Sequence, residues 1–198
     1  KIPTLTISGI KSSALQLEKA IQQNISQRAI NTDNPSGYMD SEIELYEILT
    51  MMKENWGALE LNTMGCVISE LGTFRSILGC VTHENLDVAV TAVSVIKELM
   101  DTLEINKSIS EVRSKAYENE ANNDSSLEEQ TNNFQRTFNS LLNTNGLYLL
   151  LSNLITEGGV DLLCLNLYRM SSEEEESELG VKSVLEIFEM INDVESGL

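Results

Sequence analysis

A chain of 198 residues is long enough to bury one substantial core, and 41% hydrophobic content excludes a wholly disordered polypeptide. Two prolines, 5% aromatics and abundant Leu, Ile, Met and Glu favour helix over sheet. Its 31 acidic residues against 13 basic ones, a formal charge of −18, repel phosphate, so direct nucleic-acid binding is not expected and a basic protein is the natural partner.

In chain order, Ile10, Ala14, Leu17, Ile21 and Ile25 recur at spacings of three and four, which predicts the apolar face of a first helix. "NTDNPSG" breaks it, because proline disfavours helical geometry at Asn34 and Gly37 permits a turn. Ser41 with Glu44 three residues on reads as a capping box for a second helix, whose buried stripe is Leu45, Leu49 and Met52, with Tyr46 and Ile48 flanking. From Thr63 the pattern becomes a three-helix unit. "TMGCVISELG" closes on Gly72, "TFRSILGCVTH" turns Phe74, Ile77, Leu78 and Val81 to one side, and "LDVAVTAVSVIKELMD" repeats Val88, Ala92, Val95, Ile96 and Leu99. The last run is rich in β-branched residues but too long for a strand.

The unit then returns as "GLYLLLSNLITEGG", "VDLLCLNLYRM" and "ELGVKSVLEIFEMINDV". Between the two copies, residues 104–133 are polar and are expected to form a mobile insertion, with "FQRTFNSLL" re-entering order. Repeats of about 40–47 residues with matching glycine punctuation predict an armadillo or HEAT solenoid, in which stacking builds one continuous core. The expected fold class is therefore all-α, an armadillo-type α-solenoid with two N-terminal leading helices. The expected division is 1–56 for the leading helices, 57–103 for the first repeat, 104–133 for the insertion and 134–198 for the second repeat. The sequence opens on Lys1 rather than Met and closes on a repeat without a polar cap, so further repeats are expected beyond Leu198. The leading helices would either cap the solenoid or serve as a homodimer contact.

"GTFRSILGCVTHENLDVAVTAVSVIKEL" resembles an armadillo repeat. More narrowly, "DNPSGYMDSEIELYEIL", "ISELGTFRSILGCVTHENLDVAV", "VIKELMD" and "NLYRM" followed by "LGVKSVLEIFEM" resemble the nuclear beta-catenin-like protein family, in the family's order across roughly residues 10–198. The stretch after residue 101 departs from the family's shorter acidic link. The resemblance implies a non-enzymatic armadillo scaffold in the nucleus that takes part in pre-mRNA splicing complexes and binds basic, localisation-signal-like segments of its partners. A cytoplasmic armadillo adaptor for trafficking or the cytoskeleton is the alternative. Armadillo grooves of the importin type use a Trp and an Asn on each third helix; matched to this chain, those places fall on Ser94 and Glu98 in the first unit and on Leu185 and Glu189 in the second. The stacking aromatic is missing, so an acidic groove built on Glu98 and Glu189 is the expected substitute.

No other site competes. His83 is the sole histidine, in "THENLD", with no GxSxG, HExxH or CxxC motif anywhere, so catalysis, a metal and a cofactor are not implied. It reads as a turn residue whose ring holds Asn85 and Asp87, one of which caps the next helix. Cys66, Cys80 and Cys164 are odd in number and scattered among apolar residues, which predicts buried free thiols. The Asn-x-Ser sequons at Asn24, Asn106 and Asn123 arise by chance in an Asn- and Ser-rich chain, and "NTNG" before Leu147 is a turn. "SSEEEESE" (171–178) reads as a solvated turn entering a helix, Trp56 as a plug between the leading helices and the solenoid, and Met51, Met52, Met64 and Met190 as core filling. No apolar run reaches membrane-spanning length and no signal peptide is visible, so no membrane partner is expected.

Overall fold

The computed structural model describes residues 6–56, 68, 71–101, 149–170 and 175–196, with side chains from 178 to 192 in the last of these. Among the described residues every regular element is helical. The elements are α1 (Ile7–Ile30), a 3-10 turn (Pro35–Gly37), α2 (Met39–Trp56), α3 (Thr73–Val81), α4 (86–101), α5 (149–156), α6 (Gly159–Met170) and α7 (Glu175–Ser196).

Helix α1 begins where Thr6, in extended backbone, accepts from the Gly9 N–H at 3.2 Å. It ends at Asn31, whose backbone and side-chain N–H groups both donate to the Gln27 carbonyl, at 3.0 and 2.9 Å. Its buried row is Ile10, Ser13, Ala14, Leu17, Ala20 and Asn24. The expected stripe therefore holds as far as Leu17. Ile21 is half-buried, and Ile25 is exposed, because the inward row passes to Asn24 in the last turns. The turn after α1 falls at the predicted break. Gly37 serves there by its size: a Cβ would lie 2.5 Å from the Asn31 side chain.

Helix α2 starts at Met39, two residues before the predicted cap. Ser41 lies inside the first turn, and its hydroxyl donates to the Tyr38 carbonyl at 2.6 Å instead of capping. Leu45, Leu49, Met52 and Trp56 are buried against α1. Each such side chain contributes about 1.5–3 kcal/mol by leaving water. The Trp56 indole is core, as expected, and its Nε1–H donates to Ser13 Oγ at 3.3 Å.

Helix α3 buries Phe74, Ile77, Leu78 and Val81, the side predicted for it. In α4 the residues from Val88 to Ile96 are buried without interruption. A helix enclosed on all sides needs apolar or small residues on all sides, which explains why its β-branched run looks strand-like. Helices α5 and α6 contribute Leu150, Leu151, Leu154, Leu163 and Met170 to the same core, and α7 adds Val184, Ile187 and Met190.

The two copies of the pattern correspond in backbone. Gly72 (φ +67°) precedes α3 and Gly158 (φ +69°) precedes α6, both in the left-handed region that glycine enters without steric cost. Helix α6 lies on α3. Arg75 pairs with Glu157 at 3.1 Å at one end, Arg169 donates to the Thr82 carbonyl at 3.4 Å at the other, and a Cβ on Gly159 would lie 3.1 Å from Leu78. Helix α7 lies across α4 and α6 through Gly180, where a Cβ would meet Met170 at 2.5 Å and Val90 at 3.0 Å.

Cys80 is buried as predicted and desolvation pushes its thiol up to about 12, whereas Cys164 is exposed on α6, against expectation. Most of the predicted helix 63–72, Met64, Cys66, Asn106, Asn123, the insertion 104–133, residues 134–142 and "NTNG" lie outside the described residues.

Candidate functional site

The expected partner positions lie on α4 and α7. Ser94 is 4% exposed, and its hydroxyl donates to the Val90 carbonyl at 3.0 Å. It presents nothing to a partner, because the all-round burial of α4 encloses it. Glu98, one turn on, is half-buried, while Glu189 and Leu185 on α7 are exposed. A cation links the same two helices. Lys97 Nζ lies 2.6 Å from Asp101 and 3.4 Å from Glu186, which Lys182 also approaches at 3.7 Å. The hydrogen bond to Asp101 is the main reason the Lys97 ammonium is held above its ordinary value. The α4–α7 seam thus carries a mixed-charge ladder, on the two helices that also bear Glu98 and Glu189.

A second polar cluster is spread over α1, α2 and the turn before α4, and the sequence pattern groups only its turn residues, His83 and Asn85. The Asn24 amide is buried and joins two elements: Nδ2 donates to Ser41 Oγ at 3.0 Å, and Oδ1 lies 3.0 Å from His83 Nε2. The Asn85 backbone N–H, an obligate donor, points at His83 Nδ1 at 3.1 Å. Nδ1 must accept, so the neutral ring carries its proton on Nε2 and gives it to Asn24. The chain of donors runs without conflict from the Asn85 amide to the Tyr38 carbonyl. Asn85 is the cap of α4, its Oδ1 accepting from Asp87 N–H at 3.0 Å; the ring of His83 thus holds Asn85 as expected, with Asp87 one step further along.

Beside this chain, Arg28 forms ion pairs with Glu42 and Glu84 and stacks over Tyr38, 4.7 Å from the ring centroid. Burial disfavours the Arg28 charge, but hydrogen bonds to Glu84 and Glu42 outweigh it and raise the pKa. The same hydrogen bond holds the exposed Glu84 carboxyl below its usual range. Glu42 also accepts from Asn85 Nδ2 at 2.8 Å. An open pocket of about 300 Å³ lies here, between Arg28, Tyr38, Met39, Glu42 and Glu84. Among the described residues no group of three or more His, Cys, Asp or Glu could hold a metal ion, and no helix is long and apolar enough to cross a membrane. The run 171–178 enters α7 at Glu175, with 171–174 outside the described residues.

Comparison with known proteins places these features in a family. The model of the family described as catenin-beta-like, Arm-motif containing nuclear, matches residues 1–198. Beta-catenin-like protein 1 from Bos taurus, from Rattus norvegicus and from Homo sapiens is in each case 31% identical over 94 residues, which is 48% of this chain and 16% of the relative. The matched stretch is thus a small part of the relatives' length. With its armadillo-type all-α frame and a family match along its whole sequence, this chain belongs to the catenin-beta-like, Arm-motif containing nuclear family.

Proposed function

We propose that this protein is a non-enzymatic armadillo scaffold of nuclear pre-mRNA splicing complexes that binds Lys/Arg-rich, localisation-signal-like segments of partner proteins. The observation that carries the reading is the charge of −18 on an Arm-motif frame, which makes a basic segment the electrostatically favoured ligand. Glu98 and Glu189 are the carboxylates proposed to meet it, on adjacent helices of the α4–α7 seam. Ser94 is withdrawn from the surface because it is buried. Lys97 on the same seam is already tied to Asp101 and Glu186.

Titration calorimetry of a Lys/Arg-rich peptide against the full-length protein at low salt tests the reading. Binding should weaken as salt rises, and Glu98→Lys with Glu189→Lys should lower affinity about tenfold. Absence of binding at low salt would sink it. Imaging of the tagged full-length protein checks the nuclear part, and a cytoplasmic location would favour an adaptor instead.

A further inference from the structure

The outer flank of α2 carries apolar side chains that the fold does not use. Met39, Ile43 and Tyr46 are 53%, 49% and 42% exposed. They stand at positions i, i+4 and i+7, which a helix at 100° per residue gathers into one arc about 60° wide. That arc lies about 120° around the helix from the row of Leu45, Leu49, Met52 and Trp56 that faces the core, so it points into solvent by geometry. A row with this spacing is what one helix offers another across a groove. Met39 also lines the pocket at Arg28, so the row is continuous with a concave end.

Charge selects the occupant. On the solvent side of the row α2 exposes Asp40 and Glu47. On the inner side stand Glu42 and Glu84, of which the Glu84 side chain is 83% exposed. Among the described residues Arg28 is the one cation lining the pocket, already divided between these two carboxylates. An apolar row edged on both sides by acids suits a ligand that is apolar along its middle and basic along its edges, while anionic lipid would be repelled.

We propose that the Met39–Ile43–Tyr46 face of α2 docks a basic amphipathic helix of a partner protein, with a Lys or Arg of that helix reaching Glu84 at the pocket. The surface is separate from Glu98 and Glu189, and binding there does not depend on the role assigned to those residues.

The test uses the full-length protein and a fluorescein-labelled designed helix with a leucine row and lysine edges, read by anisotropy. A scrambled peptide of the same composition and a helix with glutamates at its edges serve as comparisons. The designed helix should bind at least about tenfold more tightly than either. The double substitution Ile43→Ser with Tyr46→Ser leaves the charge unchanged and should cost about tenfold in affinity, with the helical circular dichroism retained because both side chains are exposed. Leu165→Ser, at an exposed apolar residue of α6, should leave binding unchanged. Equal binding of the scrambled peptide, or no loss in the double variant, would show charge attraction alone and overturn the proposal. So would sedimentation showing a dimer that the double variant dissociates, since the occupant would then be a second copy of the chain.

Discussion

The protonation of His83 is set by a donor it cannot refuse. With Nδ1 accepting from the Asn85 N–H, a second proton on the ring would set two donors against each other where α4 begins. Burial lowers the His83 pKa below its ordinary 6.5, the Arg28 charge lowers it further, and Glu42 and Glu84 oppose the shift. Between the depressed folded value and about 6.5, the unfolded chain therefore binds more protons than the folded one. The stabilisation is complete above pH 6.5 and is lost as pH falls from there through the lower, folded value. Urea melts at pH 5.5 and 7.5 should show lower stability at pH 5.5. His83→Gln should remove that difference while costing about 1 kcal/mol at pH 7.5 through poorer hydrogen bonds. An unchanged pH difference in the variant would mean that another group is responsible. None of this was legible in the sequence beyond the role of the turn, because Asn24 and Ser41 are remote in the chain. Composition also cannot separate Asn24, whose buried amide is bonded at both ends, from Asn166, whose buried amide has a partner at neither among the described residues.

Periodicity carried the helices well where a single face is buried, as in α2 and α3, and less well where it is not. In α4 burial continues around the helix, so Ser94, placed by motif matching on a partner face, lies inside the core. In α1 a polar residue, Asn24, takes the inward row from Ile25, and counting apolar residues assigns the wrong face. The glycines that punctuate the units were the more dependable marks, since their reason is local. Gly158 has φ +69° with nothing among the described residues within 4 Å of where a Cβ would stand, so Gly158→Ala should cost about 1–2 kcal/mol through backbone strain alone. Gly79 lies within α3 with equally open space and no positive φ, so Gly79→Ala should stabilise by about 0.5–1 kcal/mol. Thermal unfolding of the two variants checks both, and the opposite signs separate conformation from packing. A loss in both would point instead to unfavourable contacts at both sites.

For the whole molecule the charge of −18 acts in two directions at once. It draws basic ligands, and it repels itself, opposing the compact state. Raising NaCl from 0.1 to 1 M shortens the screening length from about 10 Å to about 3 Å, which weakens both effects at exposed groups. The pairing of Arg28 with Glu42 is screened less, because its two side chains are only 22% and 11% exposed. The joint between the leading helices and the turn before α4 should therefore survive the salt that relieves the surface repulsion. Thermal stability should rise over this range, by about 2–4 °C for each kcal/mol of repulsion relieved. Affinity for a Lys/Arg-rich peptide should fall over the same range. Scanning calorimetry and peptide titration on one salt series measure the two together. Opposite trends are the signature of a fold that tolerates its own charge for the sake of a basic ligand. A parallel fall in both would mean that attractive ion pairs such as those of Lys97 outweigh the repulsion in the folded state, whereas an affinity unchanged by salt would mean that the excess acid is not what binds the peptide.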